Sequence, residues 1–392
     1  MKLALKLAYR NLIGAGLRTW LNVIVLSFSF VVIIWIKGVL AGWDLQARND
    51  MTDWEIAGGQ YWHEAYDKYD PFTFSDSHAT IPAEFREEIE AGDMEPSLIV
   101  QGSAYPQGRL QPVTIRGVNP QQTLFKLPTE KLDTVMSDAI PAIIGTLMSK
   151  TLKMGPGDRV IMQWRDANGT FDASEVLIVD IFNVAVPAVD AGQIYIPLEK
   201  LREMTGMPDE ATLLSFRDSE KQRPEVAGWN LKPKEELTRQ VDEVIKVKSA
   251  GTTVLYAILL LLAMLAIFDT QVLSIFRRQR EIGTYVALGY TRGQVVGLFT
   301  VEGAMHAVLA ALLAAAYGLP FLMWQAKAGW TMPIDVSEFG MAMAQTLYPS
   351  YSAGLVIGTT LIVLITTTIV SYWPSRRIAK MNPTDALRGK IQ

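Results

Sequence analysis

The sequence predicts a membrane protein: four transmembrane α-helices with a large α+β extracytoplasmic domain between the first and the second. Three observations carry this. The 392 residues are 49% hydrophobic and 19% charged, apolar for a soluble chain of that size. Four stretches reach or approach the roughly 20 apolar residues needed to cross a bilayer. The charge is also sorted along the chain. Residues 41–246 hold 34 acidic against 20 basic residues, while residues 1–20, 273–292 and 374–392 hold 13 basic residues against only Glu281 and Asp385.

The elements follow in order. Residues 1–20 are a basic cytoplasmic segment, and 21–43 the first span, whose apolar run Leu21 to Ile36 leads into Lys37. Basic residues before an apolar core also fit a cleaved signal peptide, but this run is too long and starts too late, so an uncleaved anchor is expected. Residues 44–246 form the outer domain. In it Pro112–Val118 alternates as a half-buried strand, Asp158–Trp164 and Ser174–Phe182 bracket an Asn168-Gly169 hairpin turn, and Thr146–Met154 and Leu198–Thr205 read as short helices ended by glycine. From Pro233 a helical pattern runs into the second span, 247–276, so one long helix is expected to join domain and membrane.

Residues 277–292 are a short amphipathic cytoplasmic helix ended by Gly289; 293–326 and 351–373 are the third and fourth spans, with 327–350 a short outer segment and 374–392 a basic cytoplasmic tail. Four spans put both termini on one side, and the bases flanking the spans make that side the cytoplasm.

Several function classes are excluded or disfavoured. Without Cys there is no thiol nucleophile, disulfide framework or Cys-based zinc site, and His63, His78 and His306 are too scattered for a multi-His metal centre. An acidic outer domain with bases hugging the bilayer leaves no nucleic-acid reading. No Ser/His/Asp, paired-carboxylate or metal spacing marks a membrane-anchored enzyme. Charged groups within spans are functional candidates by default, which singles out Asp269, Glu302 and His306. Glu302 and His306 share one helix face as a polar pair, and Arg277 or Arg278 is placed to neutralise Asp269. The aromatics Trp43, Trp54, Tyr61, Trp62, Tyr66 and Tyr69 fit core packing better than interfacial anchoring. Small residues at Gly303, Ala307, Ala311 and Ala315, and at Gly354 and Gly358, recur every four residues and predict close helix–helix packing.

The string Arg-Arg-Gln-Arg-Glu-Ile-Gly-Thr-Tyr-Val-Ala-Leu-Gly-Tyr-Thr at 277–291, followed by Val301-Glu302-Gly303, is similar to the signature of the MacB and FtsX type (type VII) of ABC transporter permease. Leu7-Ala-Tyr-Arg-Asn-Leu12 resembles that family's start, and Tyr372-Trp-Pro-Ser-Arg-Arg377 through Arg388 its end. Within the outer domain, Pro141 to Phe216 also resembles the lipoprotein-releasing permeases LolC and LolE. The resemblance implies that Arg280 to Gly289 is a coupling helix on a separate ATPase, with Arg280 and Glu281 offering charge, Ile282 and Leu288 apolar contacts, and Gly283 and Gly289 close approach and termination. It implies two copies of a cytoplasmic ABC ATPase, a second or related permease, an amphiphilic cargo and membrane lipid as partners. The site of action is the bacterial inner membrane. This chain has no Gly-x4-Gly-Lys-Ser/Thr phosphate loop, so no cofactor is expected in it, and ATP and Mg belong to the partner. Movement of the outer domain driven by ATP is favoured over a pore. The rival within the family is an FtsX-like signalling module that activates an outer partner without transport.

Overall fold

The computed structural model describes residues 17–133, 138–217, 223–332, 344 and 346–376. The N-terminal motif Leu7–Leu12, most of the segments expected at 1–20 and 374–392, and part of 327–350 lie outside these. The chain divides into two compact units. One takes in Met1–Asp44, Ile245–Trp330 and Leu347–Gln392, the other Leu45–Val244 and Thr331–Thr346.

Helix α1 (Leu17–Met51), continued by a π turn to Ile56, belongs to the first unit as far as Asp44 and to the second from Leu45. In the second unit the strands are β1 (Gly59–His63), β2 (Ala79–Thr80), β3 (Met94–Ala104), β4 (Gln111–Val118), β5 (Ile140–Gly145), β6 (Arg159–Arg165), β7 (Phe171–Phe182), β8 (Gln193–Pro197), β9 (Glu210–Ala211), β10 (Leu213–Phe216) and β11 (Trp229–Pro233). Their order is β11-β1-β10-β3-β4-β8-β5-β7-β6, and β6 also pairs with β3. Strands β3, β4, β8, β5, β7 and β6 therefore close a ring, which removes the free edge at β6, while β11 remains the edge of the β11-β1-β10 arm. Strand β3 serves twice: residues 94–97 pair with β10, and residues 98–104 with β4.

The period-two alternation fills this ring. Val160, Met162 and Trp164 of β6 point inward, with Val113 and Ile115 of β4, Val176 and Ile178 of β7, and Ile194 and Ile196 of β8. Helix α2 (Leu198–Thr205) covers the ring, ends at Gly206 with φ +67, and lays Leu198 and Leu201 on Gly117, where a Cβ would meet their methyls at 3.0 and 3.1 Å. The expected hairpin is present, with Gly169 at φ +82 and the Asp166 carboxylate accepting from the Asn168 and Thr170 amides. Tyr61 is fully buried in a second core with Phe85, Phe216 and Trp229, Trp54 stacks on Phe182, and Trp62 packs on Tyr66, whereas Tyr69 is exposed.

The other helices are α3 (Lys234–Arg277), which belongs to the first unit from Ile245 onward, and, within that unit, α5 (Arg292–Ala328) and α6 (Ala353–Ser375), with the short α4 (Gln279–Ala287) between α3 and α5. The long helix expected from Pro233 is thus one element. Among the described residues, three helices are long and apolar enough to cross a membrane: Val23–Ile56, Arg292–Ala328 and Ala353–Ser375. Among the described residues α3 adds a shorter apolar helix, Thr253–Leu262, within the 20 uncharged residues Ser249–Phe268, so three of the four expected spans meet that test. Val23, Leu26, Phe30 and Val31 of α1 pack with Ala307, Ala310 and Ala314 of α5 and Val363 of α6.

Candidate docking helix and its charged bracket

Helix α3 stops at Arg277 because Arg278 leaves helical geometry, at φ −103 and ψ 22, and a new nine-residue helix starts at Gln279. Gly289, at φ +95, turns the chain out of α4. Thr291 then caps α5: its hydroxyl accepts from the Gln294 amide while the Gln294 side chain accepts from the Thr291 amide.

Helix α4 has two faces set by its 100° step. Arg280, Thr284, Ala287 and Leu288 are exposed, as is Gly289. Ile282 and Gly283 are buried, and Ile282 joins Ile275 of α3 with Val295, Val296 and Phe299 of α5 in an apolar cluster. Of the six residues expected to meet an ATPase, Arg280, Leu288 and Gly289 are free to do so, while Ile282 and Gly283 are spent on the chain's own packing.

Glu281 is spent as well. The Arg278 guanidinium donates from Nε and Nη2 to the two Glu281 oxygens at 2.6 Å each, and from Nη1 to the two Glu302 oxygens at 2.7 and 2.8 Å. The Tyr285 hydroxyl donates to Glu281 at 2.9 Å, and the guanidinium lies over the Phe299 ring, 4.8 Å from its centroid. Hydrogen bonds from Arg278 hold the Glu281 carboxyl below the usual carboxylate range, partly opposed by burial. Burial alone would lower the Arg278 pKa, but its bonds to Glu281 and Glu302 raise it above the ordinary value. One cation thus neutralises two carboxylates, one from each helix, with Glu302 buried at 7% exposure and Glu281 half-exposed.

This arrangement departs from the pairings expected from spacing. Glu302 and His306 do not form a side-chain pair; His306 Nδ1 donates to the Glu302 carbonyl at 2.9 Å, and the carboxylate faces Arg278. Asp269 is exposed on α3, and Arg278 is committed elsewhere. In the sequence Arg278 is a flanking base and a candidate counter-ion for Asp269. Its i,i+3 relation to Glu281 was the one signal available, because the 24 residues to Glu302 include a turn.

The small-residue stripe also shifts. Gly303 is buried where a Cβ would meet Ser371 Oγ at 2.3 Å, Ser371 Cβ at 2.5 Å and Gln271 Nε2 at 3.0 Å, joining α5, α6 and α3. Ala307 is buried, Ala311 half-buried and Ala315 exposed; burial passes instead through Ala310, Ala314 and Gly318. A strict step of four gains about 40° per turn on a helix of 3.6 residues, so the stripe rotates out of the contact. Gly354 is exposed, Gly358 is half-buried, and a Cβ at either meets nothing within 4 Å. A pair the spacing reading missed, Gly38 and Gly42 of α1, does make close contact: a Cβ at each would lie 2.0 Å from the Tyr351 ring and the Tyr348 carbonyl respectively.

Residues 253–383, which contain α4 and its bracket, match the model of the FtsX-like permease C-terminal family. An ABC transporter permease of Methanocaldococcus jannaschii is 28% identical over 169 residues, 40% of this chain and 37% of that protein. The macrolide export ATP-binding/permease protein MacB of Chromobacterium violaceum is 25% identical over 163 residues, 39% of this chain and 23% of that protein. MacB of Sodalis glossinidius is 26% identical over 167 residues, 42% and 23% of the two chains. The matches therefore span between 23% and 37% of these relatives' own length. The extracellular domain of the noncanonic ABC-type transporter YknZ from Gram-positive bacteria aligns over 43% of this chain and 84% of that domain at a TM-score of 0.25 and 15% identity, too weak a likeness to inform the fold. Residues 253–383 are similar to the FtsX-like permease domain, and about two fifths of the chain is similar to MacB and to the archaeal ABC transporter permease.

Proposed function

We propose that this chain is the membrane subunit of a bacterial inner-membrane ABC system that converts ATP hydrolysis by two copies of a separate cytoplasmic ATPase into movement of its outer domain. It works with a second copy of itself or a related permease and acts on an amphiphilic cargo such as a lipoprotein, lipid or peptide. In this reading the chain crosses the membrane four times, with both termini in the cytoplasm and residues 44–246 outside. The chain catalyses nothing itself; ATP and Mg are held by the partner.

The observation that carries the reading is α4: a short helix between two long ones, inside the residues matched to the permease family, braced from behind and presenting Arg280, Thr284, Ala287 and Leu288 outward. Outward-facing Leu312, Leu319, Ile357, Leu361, Ile365 and Ile369 on α5 and α6 suit a lipid environment. The test is purification of the full chain from its native membrane with mass spectrometry of what comes with it. Co-purification of an ABC ATPase and an amphiphile supports the reading. A chain recovered without any ATPase, under conditions that keep membrane complexes intact, overturns it, and an ATPase with an outer hydrolase and no amphiphile supports the signalling variant instead.

A further inference from the structure

Helix α4 has potential hinges at both ends, the break at Arg278 and the left-handed Gly289. At nine residues it is too short to hold its own shape in water. The apolar cluster around Ile282 attaches it without fixing a direction, because apolar contact tolerates sliding. The charged bracket is directional: one guanidinium makes a two-donor fork to Glu281 of α4 and points its third nitrogen, Nη1, at both oxygens of Glu302 of α5, with the ring of Phe299 beneath.

We propose that Arg278 is a positioning residue: by gripping Glu281 of α4 and Glu302 of α5 at once, it makes the docking helix and the base of α5 one rigid body, so that a push on α4 is delivered to α5 instead of being absorbed at the break after α3. The inference rests on the reading of α4 as the ATPase-docking helix. The alternative role for Arg278 is charge neutralisation alone, as a counter-ion that lets Glu302 be buried. Lysine separates the two. It keeps the positive charge but is a point donor that cannot make the planar fork to Glu281 and reach Glu302 from a separate nitrogen at once.

The test uses the full chain in phospholipid nanodiscs. The protein has no Cys, so Thr284→Cys on the exposed face of α4 and Gly297→Cys on α5, where a side chain meets nothing within 4 Å, take spin labels without background. The distance distribution between the labels is expected to be single and narrow in the parent and broad in Arg278→Lys and in Glu302→Gln. Equally narrow distributions in both variants would overturn the proposal, leaving Arg278 a counter-ion. Should neither variant fold, hydrogen exchange of the unaltered chain decides: α4 amides exchanging as slowly as those of α5 from 297 to 303 support the rigid body, and exchange at the rate of a frayed helix overturns it. No ATPase takes part, so failure here leaves the permease reading standing, and failure to find an ATPase leaves the bracket standing.

Discussion

At the residue scale, the energetics concentrate in a few buried polar and small groups. Glu95 on β3 is 5% exposed, and burial raises its carboxyl from 4.5 to about 7, with the Asn119 amide and Arg202 pulling it partly back. Because the folded-state value lies above the unfolded one, the folded protein binds the extra proton between pH 4.5 and 7, and stability falls as pH rises through that window. Glu95→Gln keeps an acceptor for the Asn119 amide and removes the titration. It is expected to raise the thermal midpoint at pH 8, by an amount corresponding to about 3 kcal/mol, and to change little below pH 4.5. Equal effects at both pH values would contradict a buried, ionising Glu95. At Gly303 the limit is space. Gly303→Val drives new methyl groups into Ser371 and Gln271 and is expected to cost about 1–3 kcal/mol in the solubilised protein, whereas Gly297→Ala, in open space, costs nothing measurable by the same melting experiment.

At the element scale, what could be read from the sequence is what local chemistry dictates. The hairpin at Asn168-Gly169, the strand over 112–118, the helix ended at Gly206 and the unbroken helix from Lys234 all follow from turn residues and periodicity, which act over a few positions. The ring closure of β6 onto β3 did not, because it joins strands some 60 residues apart through the pairing of Ala104 with Met162. Nor did the use of Glu281. From spacing it is a charge within one helical turn of Arg278 and Tyr285, and only the fold brings Glu302, 24 residues on, to the same guanidinium. Along the small-residue stripe Gly303 and Ala307 are buried and Ala315 is exposed, because a step of four turns out of the buried face. The orientation of these elements is open to a simple experiment. Single cysteines at Asn168 and at Thr284 are expected to react with membrane-impermeant maleimide from opposite sides, Asn168 from outside and Thr284 only after the cytoplasmic face is opened. Labelling of both from one side would contradict the topology.

At the scale of the whole molecule, the α+β unit, the long apolar helices and the braced α4 make sense together if energy enters from a partner at α4. The outward face of α4 is then the point at which the account is most exposed, since Arg280 and Leu288 are outside the apolar cluster and the bracket and their replacement is expected to leave folding intact. Replacing both with Glu reverses one charge and places another on an apolar contact, a change worth a few kcal/mol at an interface, roughly a hundredfold in affinity. The decisive measurement is ATP hydrolysis by the co-purified ATPase reconstituted with the full chain, parent against Arg280→Glu/Leu288→Glu. The account predicts an unchanged melting temperature for the double variant with loss of ATPase binding and of the chain's effect on hydrolysis. Parent-like binding and parent-like hydrolysis in the folded double variant would contradict it.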